Sequence, residues 1–111
     1  MEVTAKGKNV RIAPRKVRLL LQPLKGRTID EAVAILSNVS MPVARDVEKI
    51  LKSAASNAEN NYQLNQDALR IKSAIANEGS RLHRWRAGPR GRAKPWTRRF
   101  SHITIVVENT E

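Results

Sequence analysis

The 111-residue chain is 41% hydrophobic but only 4% aromatic, so it can build one domain-sized core, and that core must be aliphatic. Net charge is +11, with a pI near 11.1, and cysteine is absent, which excludes disulfide scaffolds and cysteine-ligated zinc and fits a cytosolic-type compartment. No apolar run approaches the roughly 18 residues needed to span a bilayer, and the opening Met-Glu-Val-Thr-Ala-Lys lacks the pattern of a secretory signal.

Residues 2–12 alternate loosely through Val3, Ala5, Val10 and Ile12, predicting a strand interrupted at Lys6-Gly7-Lys8-Asn9. Pro14 suits the first turn of a helix over 14–22, with Val17, Leu20, Leu21 and Leu24 facing a core. Pro23 should end or bend that helix, and Gly26 offers a stop. Thr28-Ile29-Asp30-Glu31 reads as a capping box, in which the Thr hydroxyl and the Glu carboxylate each satisfy an orphan amide. The short helix it opens has Ala32, Val33, Ile35 and Leu36 as its apolar stripe. A third, longer helix is expected from Met41 to about Asn60, with Val43, Val47, Ile50, Leu51, Ala54, Ala55 and Ala58 on its buried face. Two strands then follow: one over 69–78, with Leu69, Ile71, Ser73 and Ile75 on one face, and one over 101–108, with Ile103, Ile105 and Val107 alternating against His102, Thr104 and Val106. The fold expected is α+β: three helices packed on a small antiparallel sheet, with a long basic β-hairpin protruding between the last two strands. One domain spans 1–111, with its core in 1–78 and 101–111 and its arm in 79–100.

Charge follows the same division. Residues 1–27 hold eight Lys or Arg against one acid, and residues 28–78 hold five against seven. Residues 79–102 hold seven Arg, one Lys and no acid, together with both tryptophans, the only Phe and three of the five Gly. A segment so charged cannot bury enough apolar surface to fold alone. Flanked by strands, it reads as an arm that orders on a polyanion, which makes nucleic acid the leading partner.

Within the arm, Arg81, Arg84, Arg86, Arg90, Arg92, Lys94, Arg98 and Arg99 are the candidate phosphate ligands. Guanidinium binds phosphate bidentately and also stacks on bases. Trp85 and Trp96 either stack on unpaired bases or pack on each other across the hairpin. Gly88, Pro89, Gly91 and Pro95 allow a turning backbone that approaches RNA closely. Lys6, Lys8, Arg11, Arg15, Lys16 and Arg18 form a second basic set near the start of the first helix, where phosphate is already attracted. His83 and His102, nineteen positions apart among cations, are expected to contact RNA or solvent rather than a metal. Gly88-Pro89-Arg90-Gly91-Arg92-Ala93-Lys94 lacks the Gly-Lys-Ser/Thr ending and the strand–loop–helix setting of a phosphate loop. No catalytic constellation is present, and neither cofactor nor metal is expected. A DNA-architectural β-arm is the rival reading, but such arms work as dimers and the chain shows no dimer face. A membrane-surface role wants an amphipathic basic helix, whereas here the most basic segment is broken by Pro and Gly.

Several stretches resemble the ribosomal large-subunit protein L twenty-two family in its compact bacterial and organellar form. They are Val10-Arg11-Ile12-Ala13-Pro14-Arg15-Lys16-Val17-Arg18-Leu19, Ser53-Ala54-Ala55-Ser56-Asn57-Ala58-Glu59-Asn60-Asn61, Asn77-Glu78-Gly79, Pro89-Arg90-Gly91-Arg92-Ala93, and the run from Arg98 to Val107. The resemblance implies a structural rRNA-binding protein, without enzymatic activity, in a bacterial cytoplasmic or organellar ribosome. It further implies a position near the exit of the nascent-chain tunnel, with the hairpin lining the tunnel wall. The arm tip would then lie near ribosomal protein L four, within reach of a nascent peptide, and tip changes would alter macrolide response. Carried over by position, the tip is Leu82, His83, Arg84, Trp85, Arg86, Ala87, Gly88, Pro89, Arg90, Gly91, Arg92 and Ala93, of which Arg90, Gly91 and Arg92 match most firmly. The chain departs from the family pattern at Ala13 (usually Ser or Thr), Pro23, Ser80 (usually Pro) and Ala87-Gly88-Pro89. Without a capping side chain at position 13, the first helix is expected to lose about 1 kcal/mol.

Overall fold

The computed structural model describes residues 2–109, and of Arg86 and Trp96 the backbone alone. Three antiparallel strands, β1 (Glu2–Val10), β2 (Leu69–Ala87) and β3 (Ala93–Asn109), lie in the order β1-β3-β2. Between β1 and β2 the chain forms α1 (Pro14–Leu21), α2 (Ile29–Ser37) and α3 (Val43–Tyr62). The expected α+β arrangement is therefore present, with β3, the last strand in sequence, at the centre of the sheet.

The core is built from rows of three residues across the sheet. Val3, Val107 and Ile71 form one row, Ala5, Ile105 and Ala74 the next, and Gly7, Ile103 and Ala76 the third. All but Gly7, which is partly covered, are buried. The outer strands narrow to Ala and Gly where α3 and α1 press on the sheet, so the helices can approach closely. At Gly7 a Cβ would collide with Ile50 Cδ1. Val17, Leu20, Leu21 and Leu24 fill the core from the α1 side, and the expected stripe from Val43 to Ala58 does so from α3, joined by Ala44. Burying such side chains is worth about 1.5–3 kcal/mol for each large aliphatic one.

The helix ends follow their local chemistry. Ala13 caps α1 without a side-chain hydrogen bond, as expected for that residue. Pro23 sits in a single 3₁₀ turn, Gln22–Leu24, that continues α1. At α2, Thr28 Oγ1 accepts the Glu31 N–H at 3.3 Å, but the Glu31 carboxylate faces the Arg27 guanidinium rather than closing the box. Helix α3 starts two residues later than expected, behind Pro42, and continues to Tyr62, where Gln63 takes the left-handed conformation that ends it.

One expectation is corrected. The simple alternation grouped Ser73 and Ile75 with Leu69 and Ile71 on one face of β2, but a register shift between Ile71 and Ser73 inserts one extra residue at Lys72. The inserted residue reverses the inside–outside phase. Ala74 and Ala76 are buried instead, and Ile75 is 46% exposed. The outer edge of β2 is covered where Gly26 N–H donates to the Ile71 carbonyl at 2.8 Å and Ile71 N–H donates to the Arg27 carbonyl at 2.9 Å.

Beyond the core, β2 and β3 continue as a two-stranded ribbon from Arg81 opposite Arg99 to Ala87 opposite Ala93. The molecule measures 64 × 26 × 17 Å, and its radius of gyration is 17.0 Å, against about 13 Å for a compact chain of this length. The arm pairs its backbone without a helix or core covering it. A ladder lacking buried apolar side chains opens locally with little free energy. Hydrogen exchange on the free protein should therefore show arm amides at residues 81–99 exchanging far faster than those of α3, and equal protection in both would contradict this.

Candidate nucleic-acid interface

In a strand, successive side chains point to opposite faces, so the pairing register sorts the arm's groups. Arg81 and Arg99, His83 and Thr97, and Trp85 and Pro95 share one face; Leu82 and Arg98, with Arg84, belong to the other. Arg86 pairs with Lys94 in register, and Arg84 with Trp96. Exposed cations therefore occur on both faces: Arg81 and Arg99 on one, Arg84, Lys94 and Arg98 on the other. Trp85 is 71% exposed. The two tryptophans are not cross-strand partners, since Trp85 stands opposite Pro95. Packing of Trp85 on the Trp96 ring lies outside the described residues.

The tip expected over 82–93 comprises two different structures. Residues 82–87 and Ala93 belong to the paired limbs, and the turn itself is confined to residues 88–92. Gly88 N–H donates to the Arg92 carbonyl, closing the turn around Pro89–Gly91. Arg90 and Gly91 both have positive φ, at 59° and 74°. Glycine takes this region without cost, whereas Arg90 is held there by the closed turn. Arg90 and Arg92 are both exposed at the end of the ribbon.

The second basic set divides between two grooves. Arg15, Lys16 and Arg18 join Glu78 and Arg99 around an open groove of about 410 Å³ at the uncapped start of α1. Lys8 and Arg11 join Lys49 and Asp46 around another, of about 480 Å³, beside Gly7 and Ile50. Lys6 is exposed on β1 and belongs to neither. Arg18 also has a structural task, because its Nε donates to the Ala76 carbonyl at 3.0 Å and fastens α1 to the edge of β2. Lys49 was not recognisable as part of this surface from sequence, because its neighbours Lys8 and Arg11 are some forty residues away along the chain.

Glu78 is the acid at the root of the arm. Its hydrogen bond from Arg81 holds the carboxyl below the ordinary carboxylate range, and the charges of Arg81, Arg99 and Arg18 act in the same direction. The histidines have protein partners: His102 Nδ1 accepts the Asn9 N–H at 3.1 Å, and His83 Nδ1 lies 3.4 Å from Thr97 Oγ1. Among the described residues no group of His, Asp or Glu is placed to hold a metal ion, and no helix is long and apolar enough to cross a membrane.

A small α+β core that carries a basic two-stranded arm is the framework of a structural protein. The chain belongs to the family Ribosomal protein L22p/L17e, which it matches over residues 5–108, a family of structural constituents of the ribosome. It is 48% identical over 107 residues to "Large ribosomal subunit protein uL22" of Oceanobacillus iheyensis, covering 96% of this chain and 95% of that protein. To the protein of the same name from Macrococcus caseolyticus it is 49% identical over 111 residues, covering 100% of this chain and 90% of the relative. The Staphylococcus haemolyticus protein of that name is 48% identical over 109 residues, covering 98% and 93%.

Because the carboxyl of Glu78 titrates below its unfolded value, its pairing with Arg81 favours the folded state above the ordinary carboxylate range. That contribution is lost as the pH falls through the lowered folded value. In a carboxyl-detected NMR titration, Arg81→Gln should move the Glu78 midpoint upward. An unmoved midpoint would mean that the pair does not form in solution.

Proposed function

We propose that this chain binds large-subunit rRNA, with its arm embedded in RNA and its core on the subunit surface, and that it contributes to assembly and to the wall of the nascent-peptide exit tunnel. One observation carries the RNA reading: residues 79–102 contain eight cations and no acid, and the register distributes the exposed ones over both faces of a ribbon with no core of its own. An arm lying in one groove of a duplex needs charge on the groove-facing side. An arm surrounded by folded RNA needs it on all sides, which favours rRNA over a DNA-architectural role.

The whole chain acts as one domain, with residues 79–100 as the inserted limb. Arg81, Arg84, Arg86, Arg90, Arg92, Lys94, Arg98 and Arg99 neutralise phosphates along the arm, and Trp85 and Trp96 offer faces to unpaired bases. Gly91 lets the tip backbone come close to RNA. At the root, Arg15, Lys16 and Arg18 present phosphate ligands beside the first-turn amides of α1, with Lys6, Lys8 and Arg11 extending the surface. The bacterial relatives support a place in the cytoplasmic large subunit. Membership of the family supports the tunnel position, with a ribosomal protein of the L four family as neighbour and the nascent peptide as a further contact of residues 82–93. The chain needs no cofactor, metal or second copy of itself for this.

Two experiments test the reading. Tagged protein should co-sediment with large subunits in a sucrose gradient, and its affinity for rRNA fragments should fall steeply with salt. If six to eight cations meet phosphates, log K should fall against log salt with a slope of about −4 to −7, and Arg84→Gln with Arg98→Gln should flatten it by roughly 1 to 2. A slope near −1 in the parent would mean that the cations remain solvated.

Deleting residues 82–84 shortens one limb of the ribbon and leaves every core row intact. The shortened protein should still enter large subunits while changing their macrolide sensitivity or nascent-chain stalling. Failure to enter subunits would make this stretch an assembly anchor, and unchanged responses in assembled particles would remove the tunnel placement.

A further inference from the structure

A two-stranded ribbon leaving a sheet has no intrinsic direction; something at its root must aim it. Here both neighbours of β3 carry an irregularity at the same level. β1 has an extra residue between Gly7 and Val10, opposite Ile103 and Ser101, and β2 has one between Glu78 and Arg81, opposite Ser101 and Arg99. Bulges bend the strands that carry them, so the root of the arm is a bend on both sides of one strand.

Two successive side chains of β3 tie this bend down from opposite faces. Ser101 is fully buried, and its Oγ donates to the Ile12 carbonyl at 2.6 Å, fastening the start of the arm to the connection before α1. His102, on the other face, accepts the Asn9 N–H at Nδ1 at 3.1 Å. Asn9 is positioned for this by a positive φ of 53°. Gly79 fills the remaining space: a Cβ there would stand 3.2 Å from His102 Cε1, 3.2 Å from the Phe100 carbonyl oxygen and 3.3 Å from Asn9 Oδ1.

We propose that His102 and Asn9, closed over Gly79, form a wrist that fixes the angle at which the arm leaves the core, with His102 as its positioning residue. An imidazole suits the task because Nδ1 accepts only when the ring is neutral with its proton on Nε2, and the ring edge then rests against Gly79. The lever is long. At about 3.3 Å per residue, the nine residues 79–87 reach roughly 30 Å, so a swing of about 10° moves the turn by roughly 5 Å.

The test uses the full chain free of RNA, so its failure leaves the RNA-binding reading untouched. In the parent protein, NMR should show a through-hydrogen-bond coupling between the Asn9 amide nitrogen and His102 Nδ1; its absence overturns the proposal. The chain has no cysteine, so spin labels at Lys52→Cys on α3 and Arg90→Cys at the turn report one core-to-arm distance. Asn presents Oδ1 where His presents Nδ1, and His102→Asn should keep the parent distance. His102→Phe retains a ring but no acceptor and should shift or broaden the distance by roughly 5 Å, with the urea midpoint of the core unchanged. Gly79→Val, which presses on the same ring, should shift it too, and decides the matter if the Phe variant fails to fold. Parent-like distances in His102→Phe or Gly79→Val would refute the wrist.

Discussion

Like charges set the terms on which this chain folds. The arm carries eight cations, and in the register Arg81 stands directly opposite Arg99. Cross-strand pairs of one sign destabilise a sheet, and an isolated two-stranded ribbon is marginal even without that burden. The arm therefore depends on its attachment to a packed sheet. Strand β3 supplies that attachment, because the strand that pairs along the whole ribbon also contributes Ile103, Ile105 and Val107 to the core, hydrogen-bonded on both sides. Its central place follows: on an edge it would hold the arm with one ladder instead of two.

The size of the outer-strand residues follows from the same geometry. With β3 providing large aliphatic side chains, β1 and β2 can offer Ala5, Gly7, Ala74 and Ala76 where the helices cross. Helix α3 answers with its own alanines at 54, 55 and 58, all buried. Close approach of helix to sheet is a matter of complementary surface rather than of side-chain bulk. It also keeps β1 near the root of the arm, which is why Asn9 and Ile12 are available to hold His102 and Ser101.

Most of the architecture was legible because its signals are local. Apolar periodicity located the helices, the capping Thr28 located the start of α2, and alternation located β3. The phase of β2 after Ile71 was not legible, since one extra residue at Lys72 reverses which side chains face inward and leaves no mark in composition. The strand order was not legible either: β1 lies nearly a hundred residues from its partner, and alternation does not name partners. The candidate site divides in the same way. Its cations were visible as a charge run, but the engagement of Arg18 with Ala76, of Glu78 with Arg81 and of His102 with Asn9 is set by bulges and turns. Titratable residues therefore read from sequence as surface ligands turn out to hold the frame as well.

Salt acts on the two states of such an arm in opposite directions. Neighbouring strands are about 4.8 Å apart, well inside a Debye length of about 8 Å at physiological ionic strength. Cations across the ribbon therefore repel one another in the free protein, and added salt relieves that repulsion. The same salt weakens attachment to phosphate by reducing the gain from counterion release. The conditions that best favour the free ribbon are thus those that least favour its complex with RNA. In the proposed complex with rRNA, phosphates on both faces resolve this conflict by supplying the countercharge that residues 79–102 lack. On that proposal the absence of acids keeps the guanidinium groups available to the polyanion, since internal ion pairs would stabilise the free arm while consuming them. Glu78 marks the boundary of that segment, and its carboxylate pairs with Arg81 at the root of the arm.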